Sequence, residues 1–165
     1  MRGDQQTSDG LVEEFEAALA EFFRRVWPAF AGESTWREQI RAVAYTVFEF
    51  IDEDPRRANL MLIDTLGAGE RATVLREQGL ELLVELIDQG RNELDDPGSV
   101  SRTTAEAIAG TIHRQIRLAV KNDAVVPGLV PKLLYNVVLP YLGTEVAKEE
   151  LTRLPPPGTG LSSRY

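Results

Sequence analysis

Apolar residues recur at spacings of three and four along most of this chain, and proline and glycine divide the recurrence into segments. Phe15, Leu19, Phe22, Val26 and Phe30 make one such stripe and predict an amphipathic helix over about residues 9–30. Glu13 and Glu14 sit in its first turn, where the helix dipole favours negative charge. Thr35-Trp36-Arg37-Glu38 has the T-x-x-E capping-box pattern, and Ile40, Val43, Val47, Phe50 and Ile51 carry a second helix to Asp54. Asp54-Pro55 reads as a new cap with proline in the first helical position. It opens a short third helix, to about Leu66, that stops at Gly67-Ala68-Gly69. A fourth helix, from about Glu70 to Leu94, has Leu83, Leu86, Ile87 and Leu94 on its apolar side and is weakened by Gly79 and Gly90. Asp95-Asp96-Pro97-Gly98 is a turn, after which Thr103-Thr104-Ala105-Glu106 repeats the capping box and starts a fifth helix to about Lys121.

The next segment breaks the amphipathic rule. From Leu133 to Leu142 only Asn136 is plainly polar. A helix apolar on nearly every side must be buried on nearly every side, yet this run falls well short of the ~20 residues that cross a membrane. It begins near Gly128 and is expected to stop near Pro140, with Gly143-Thr144 starting a last short helix to about Arg153. The pattern predicts an all-α fold of about seven helices, with no strand alternation and no internal repeat. Residues 9–153 read as one domain, residues 1–8 as a disordered N-terminus, and residues 154–165 as a disordered tail rich in proline, glycine and serine.

Composition narrows the function. The 165 residues suit a single domain, and 43% hydrophobic with 27% charged is ordinary for a globular protein. The first ten residues lack the apolar core of a secretory signal, and with no cysteine there is neither a disulfide framework nor a thiolate metal site. A cytoplasmic location is expected. Acidic residues number 26 against 18 basic, and the basic ones are scattered, the closest pairs being Arg24-Arg25 and Arg56-Arg57. Nucleic-acid surfaces carry a basic stripe that neutralises phosphates. This chain has none.

Catalytic and metal arrangements fare no better. The single histidine, His113, has no marked serine partner for a triad, and a di-iron bundle would need a second histidine. No G-x-x-x-x-G-K-S/T phosphate loop occurs, and the carboxylates follow the polar sides of helices. No enzyme activity, cofactor or metal is expected. Ala109, Ile116 and Val120 share the face of His113, so its ring points inward. It serves there either as a core histidine bonded to a carbonyl or as a polar group lining a cavity.

The order of segments resembles the C-terminal, ligand-binding and dimerisation half of TetR-family transcriptional regulators. The resemblance is carried by WREQIRAVAYTVFEFIDEDPRRANLMLIDTLGAG, then AEAIAGTIHRQIRLAV, then GLVPKLLYNVVLPYLGTEVA, and runs from about Leu11 to Leu154. It implies that residues 9–153 form a ligand-binding and dimerisation domain, and that the last two long helices join those of a second subunit in a four-helix bundle. The homodimer interface would then use Ala107, Gly110, Thr111 and Arg114 on one helix and Leu134, Val137, Val138 and Tyr141 on the next. The other helices would enclose a small, mainly apolar effector, with Phe23, Trp27, Tyr45, Phe48, Met61, Thr65, Leu83 and His113 as candidate lining residues. An aromatic at helical spacing is more often core filler, and Tyr45, Thr65 and His113 are the stronger candidates because a buried polar group needs a partner. Family members begin with a three-helix DNA-binding head, and nothing in these residues corresponds to it. DNA contact would therefore come only through an N-terminal domain outside the chain. Either the chain is a shortened form, or the natural product lacks a DNA-reading head. The alternative reading is a ligand-free helical homodimer acting as an interaction or scaffold module.

Overall fold

Capping side chains, prolines and glycines set where the helices begin and end. The computed structural model describes residues 2–123 and 128–156, with side chains from residue 10 onward. Among the described residues there are six α-helices and no strand. They are α1 (Arg2–Ala31), α2 (Trp36–Glu53), α3 (Pro55–Asn59), α4 (Glu70–Asp88), α5 (Arg102–Lys121) and α6 (Leu129–Glu150). A π-helical turn, Leu60–Asp64, prolongs α3, and a 3₁₀ turn, Gln89–Glu93, prolongs α4.

Two of the expected caps form. Thr35 Oγ1 accepts a hydrogen bond from the Glu38 amide at 3.3 Å, and Asp54 Oδ1 accepts from the Arg57 amide at 3.1 Å with Pro55 opening α3. The second capping box does not form. Ser101 is the cap of α5, without a side-chain hydrogen bond, and Thr103 already lies inside the helix. Gly67 and Gly69, with φ of 94° and 99°, take the left-handed backbone that ends the π turn and restarts the chain at α4.

Three boundaries differ from expectation. The helical backbone of α1 begins at Arg2, well before Asp9. The fourth helix gives way to a 3₁₀ turn at Gln89, so Gly90 and Leu94 lie beyond it. The count is six with Leu129–Glu150 taken as the single element α6, but Gly143, at φ 80° and ψ 174°, is non-helical and separates two helical stretches, so the break expected at Gly143-Thr144 is present, although the first stretch runs through Pro140. The loop at 124–127 and the tail from residue 157 lie outside the described residues.

The apolar run in α6 is covered by its own chain. Leu133, Leu134, Val137, Val138 and Tyr141 are all buried, and α2, α5 and the 3₁₀ turn all touch this helix. Gly90 makes the last contact possible. A Cβ at this glycine would lie 2.6 Å from the Trp36 ring and 2.8 Å from the Tyr141 ring, which themselves meet edge-on with centroids 5.1 Å apart. Trp36 is further anchored by its indole N–H, which donates to the Leu86 carbonyl at 2.9 Å.

Beyond the bend at Gly143, α6 ends on a buried ionic clamp. Glu150 is fully buried, and its carboxylate accepts from Arg41 at 2.7 Å and from Arg37 at 2.6 Å. Arg153 approaches the same carboxylate at 3.5 Å and reaches Glu38 at 2.9 Å. Arg41 also donates to the Leu154 carbonyl and lies over the Tyr45 ring, 5.2 Å from its centroid. A buried carboxylate survives only when paired and hydrogen-bonded, and here two guanidinium groups from α2 do both.

Candidate ligand cavity

The i, i+3, i+4 spacing that builds each helix also points one stripe of it toward a common centre. α1 turns Phe15, Leu19, Phe22, Phe23 and Val26 inward, and α2 turns Ile40, Val43, Ala44, Val47 and Phe48 to meet them. Met61 and Leu62 enter from the π turn, where the extra residue per turn re-aims the side chains that follow α3. α4 contributes Leu75, Arg76, Gly79, Leu80 and Leu83; α5 contributes Ile112, His113 and Ile116; and Leu133, Leu134 and Val137 of α6 close the far wall. Between them lies a cavity of about 220 Å³.

Arg76 and His113 are the only ionisable side chains among its lining residues. They reach it from the neighbouring helices α4 and α5. His113 is half-buried, and burial pulls its imidazole below the ordinary value of 6.5, with the charges of Arg76 and Arg117 adding to the effect. The Nε of Arg76 and that of Arg117 are both shielded from solvent and have no hydrogen-bond partner among the described residues. Gly79, one turn beyond Arg76, leaves part of the space unfilled, because a Cβ placed there meets nothing within 4 Å.

Of the eight residues expected at a ligand site, Phe23, Phe48, Met61, Leu83 and His113 line this cavity. The other three do not. Trp27 is 63% exposed and stacks on Phe30, because it follows Val26 by one residue and so points about 100° away from the inward stripe. Tyr45 is buried on the opposite face of α2, under Arg41 of the ionic clamp. Thr65 is buried as well, and its hydroxyl donates back to the Met61 carbonyl at 3.3 Å.

The expected dimer face also divides. Ala107, Gly110, Thr111 and Arg114 are exposed along α5. Leu134, Val137, Val138 and Tyr141 are not available to a partner, because all four are buried inside their own chain. Burial pushes the Tyr141 phenol up to about 12. The outer surface of this helix pair carries a groove of about 270 Å³ lined by Ala107, Ile108, Thr111, Ile112, Leu133 and Asn136.

Three features of the cavity escaped the sequence pattern. Arg76 interrupts an apolar stripe of α4 that runs through Ala72, Gly79, Leu83 and Ile87, and that interruption was its signal. Gly79 signalled itself as a helix-weakening residue. Leu19 and Phe22 were read as the stripe of α1 without being assigned to the site.

Among the described residues no group of three or more His, Asp or Glu side chains could hold a metal ion, and no helix is long and apolar enough to cross a membrane. Comparison of the chain with protein-family models, with curated proteins and with solved structures returns no match.

Proposed function

We propose that this chain is an effector-sensing module of the kind that forms the C-terminal half of TetR-like transcriptional regulators, and that a small, mainly apolar molecule occupies its central cavity. The observation that carries the reading is the cavity itself, walled by side chains from all six helices. A void lined by apolar groups costs roughly 24 cal/mol per Å³. An apolar space of about 220 Å³ likewise leaves its lining side chains short of packing contacts. A side chain at Gly79 could occupy part of this space. A ligand offsets the cost by restoring the missing contacts.

The response follows from which helices form the wall. Phe15, Leu19, Phe22, Phe23 and Val26 all belong to α1, so an occupant that prefers one position of α1 shifts its population toward that position. In a regulator this movement would alter the spacing of two DNA-binding heads. DNA would be contacted only by residues outside this chain. The same reading has two copies pairing through the exposed strip of Ala107, Gly110, Thr111 and Arg114, whose small side chains allow close approach of a second helix.

Thermal melts against a broad library of apolar compounds test the sensor reading. A true ligand at a hundred times its dissociation constant raises stability by about 2.7 kcal/mol. No stabilisation by any compound would overturn the sensor and leave the helical scaffold as the better account. Sedimentation at micromolar concentration tests the dimer, which a purely monomeric profile removes.

A further inference from the structure

We infer that the ligand of this cavity is a small amphipathic acid, an apolar chain or ring whose carboxylate is held by Arg76 with Arg117 and His113 beside it. The inference rests on the cavity being a ligand site and adds the chemistry of the head group.

Charge pairing in the rest of the molecule supplies the contrast. Arg25, Arg37, Arg41, Arg57, Arg91, Arg102 and Arg153 are partly or fully buried, and each lies within 4 Å of a carboxylate of its own chain. Arg76 and Arg117 are partly buried as well, and like Arg57 and Arg91 each keeps a shielded Nε without an acceptor, but unlike those two neither has an ion-pair partner among the described residues. Carboxylates are not scarce, since the chain carries 26 acidic residues against 18 basic ones. Among the described residues none of them pairs with Arg76 or Arg117.

The two cations also converge. Arg117 lies one helical turn beyond His113 on α5, Arg76 lines the cavity from α4, and both charges act on the same imidazole. A cation beside apolar walls with a shielded donor unmet is stabilised by an anion, which supplies both the counter-charge and the acceptor. A guanidinium offers a planar fork of donors that matches a carboxylate. Every other lining residue of the cavity is apolar or glycine, so the remainder of the ligand must be hydrocarbon.

Volume bounds its length. An apolar cavity of about 150 Å³ accommodates benzene. By that scale 220 Å³ accepts about nine non-hydrogen atoms, an aryl acid or a chain of about eight carbons.

Calorimetric titration with octanoate and with octan-1-ol tests the inference. The two probes share a chain length and differ in the charge of the head. Octanoate is expected to bind the wild-type chain about tenfold more tightly, the usual margin for a hydrogen bond to a charged group. Arg76→Gln should remove most of that preference by weakening octanoate much more than octan-1-ol, and Arg76→Lys should restore part of it. Circular dichroism establishes that each variant is folded, and Arg117→Gln provides a second variant should Arg76→Gln fail to fold. Equal binding of both probes overturns the anionic head group and leaves an apolar cavity site standing. A preference for octanoate that survives both Gln variants overturns the assignment to these arginines. Binding of neither probe overturns the inference together with the sensor reading on which it rests.

Discussion

Two arginine clusters in this fold have opposite fates. At the end of α6, Arg37 and Arg41 close on Glu150, a carboxylate supplied by the chain itself and fully buried between α2 and α6. On the other side, Arg76 lines the cavity and Arg117 lies one turn beyond His113, and among the described residues neither forms an ion pair with a carboxylate. The first cluster is complete, and its donors are spent on holding two helices together. The second has capacity left over. The lesson is that a buried cation reveals its task through its partner: where the chain provides the anion the role is architectural, and where it does not the place is open to a ligand.

The comparison breaks most visibly at the clamp. Glu150→Gln removes the carboxylate and leaves Arg41, which is almost fully buried, without its counter-charge. The expected loss is about 3–5 kcal/mol, seen as a lower urea midpoint. A loss below about 1 kcal/mol would mean that the clamp is as open as a surface pair. Gly90→Ala should come next. Its methyl would overlap the Trp36 and Tyr141 rings, and overpacking of this kind costs about 1–3 kcal/mol by the same assay.

Gly79→Ala sharpens the contrast by moving in the other direction. The new methyl enters open cavity space in a mid-helix position, so the variant should gain about 0.5–1 kcal/mol. A loss would show that the space at Gly79 is closed in solution.

The smallest effect is on pH. His113 is held below 6.5, so in the pH range just under that value the folded chain binds fewer protons than the unfolded one. Stability should therefore fall as pH drops through about 6.5, and melts at stepped pH read the slope. Arg76→Gln should make the slope shallower because one of the two charges acting on the imidazole is gone. Glu150→Gln should leave the slope as it was, which separates the two clusters in a single measurement.

Much of the fold was legible because helices announce themselves locally. Asp54-Pro55 and the two glycines near Ala68 mark breaks with a backbone reason, and the breaks are there. Where a boundary depends on distant packing the pattern was less reliable. Pro140 does not stop α6, whose first stretch runs on to the break at Gly143, and Gly90 is a point of close approach rather than only a weak spot in a helix.

The site was half legible for a similar reason. Met61, Leu83 and His113 follow from helical phase once the inward face is known, whereas Trp27 misleads because a large ring beside the stripe looks like part of it. Glu150 read as one more solvated acid. Its partners Arg37 and Arg41 lie more than a hundred residues earlier, a distance over which no local pattern reports. The apolar helix beginning at Leu133 demanded cover, and nothing in its own residues told whether a second copy or the same chain would supply it.

α1 has one further consequence, and it is a matter of leverage. From Phe22, at the cavity wall, back to Arg2 the helix measures about 30 Å at the usual rise of 1.5 Å per residue. A rotation of about 5° around Phe22 shifts a side chain at the wall by a fraction of an ångström and carries the far end through about 3 Å, by the same helical rise. The helix is therefore a pointer with a short inner arm and a long outer one, on which displacements too slight to disturb the packing at one end are magnified at the other.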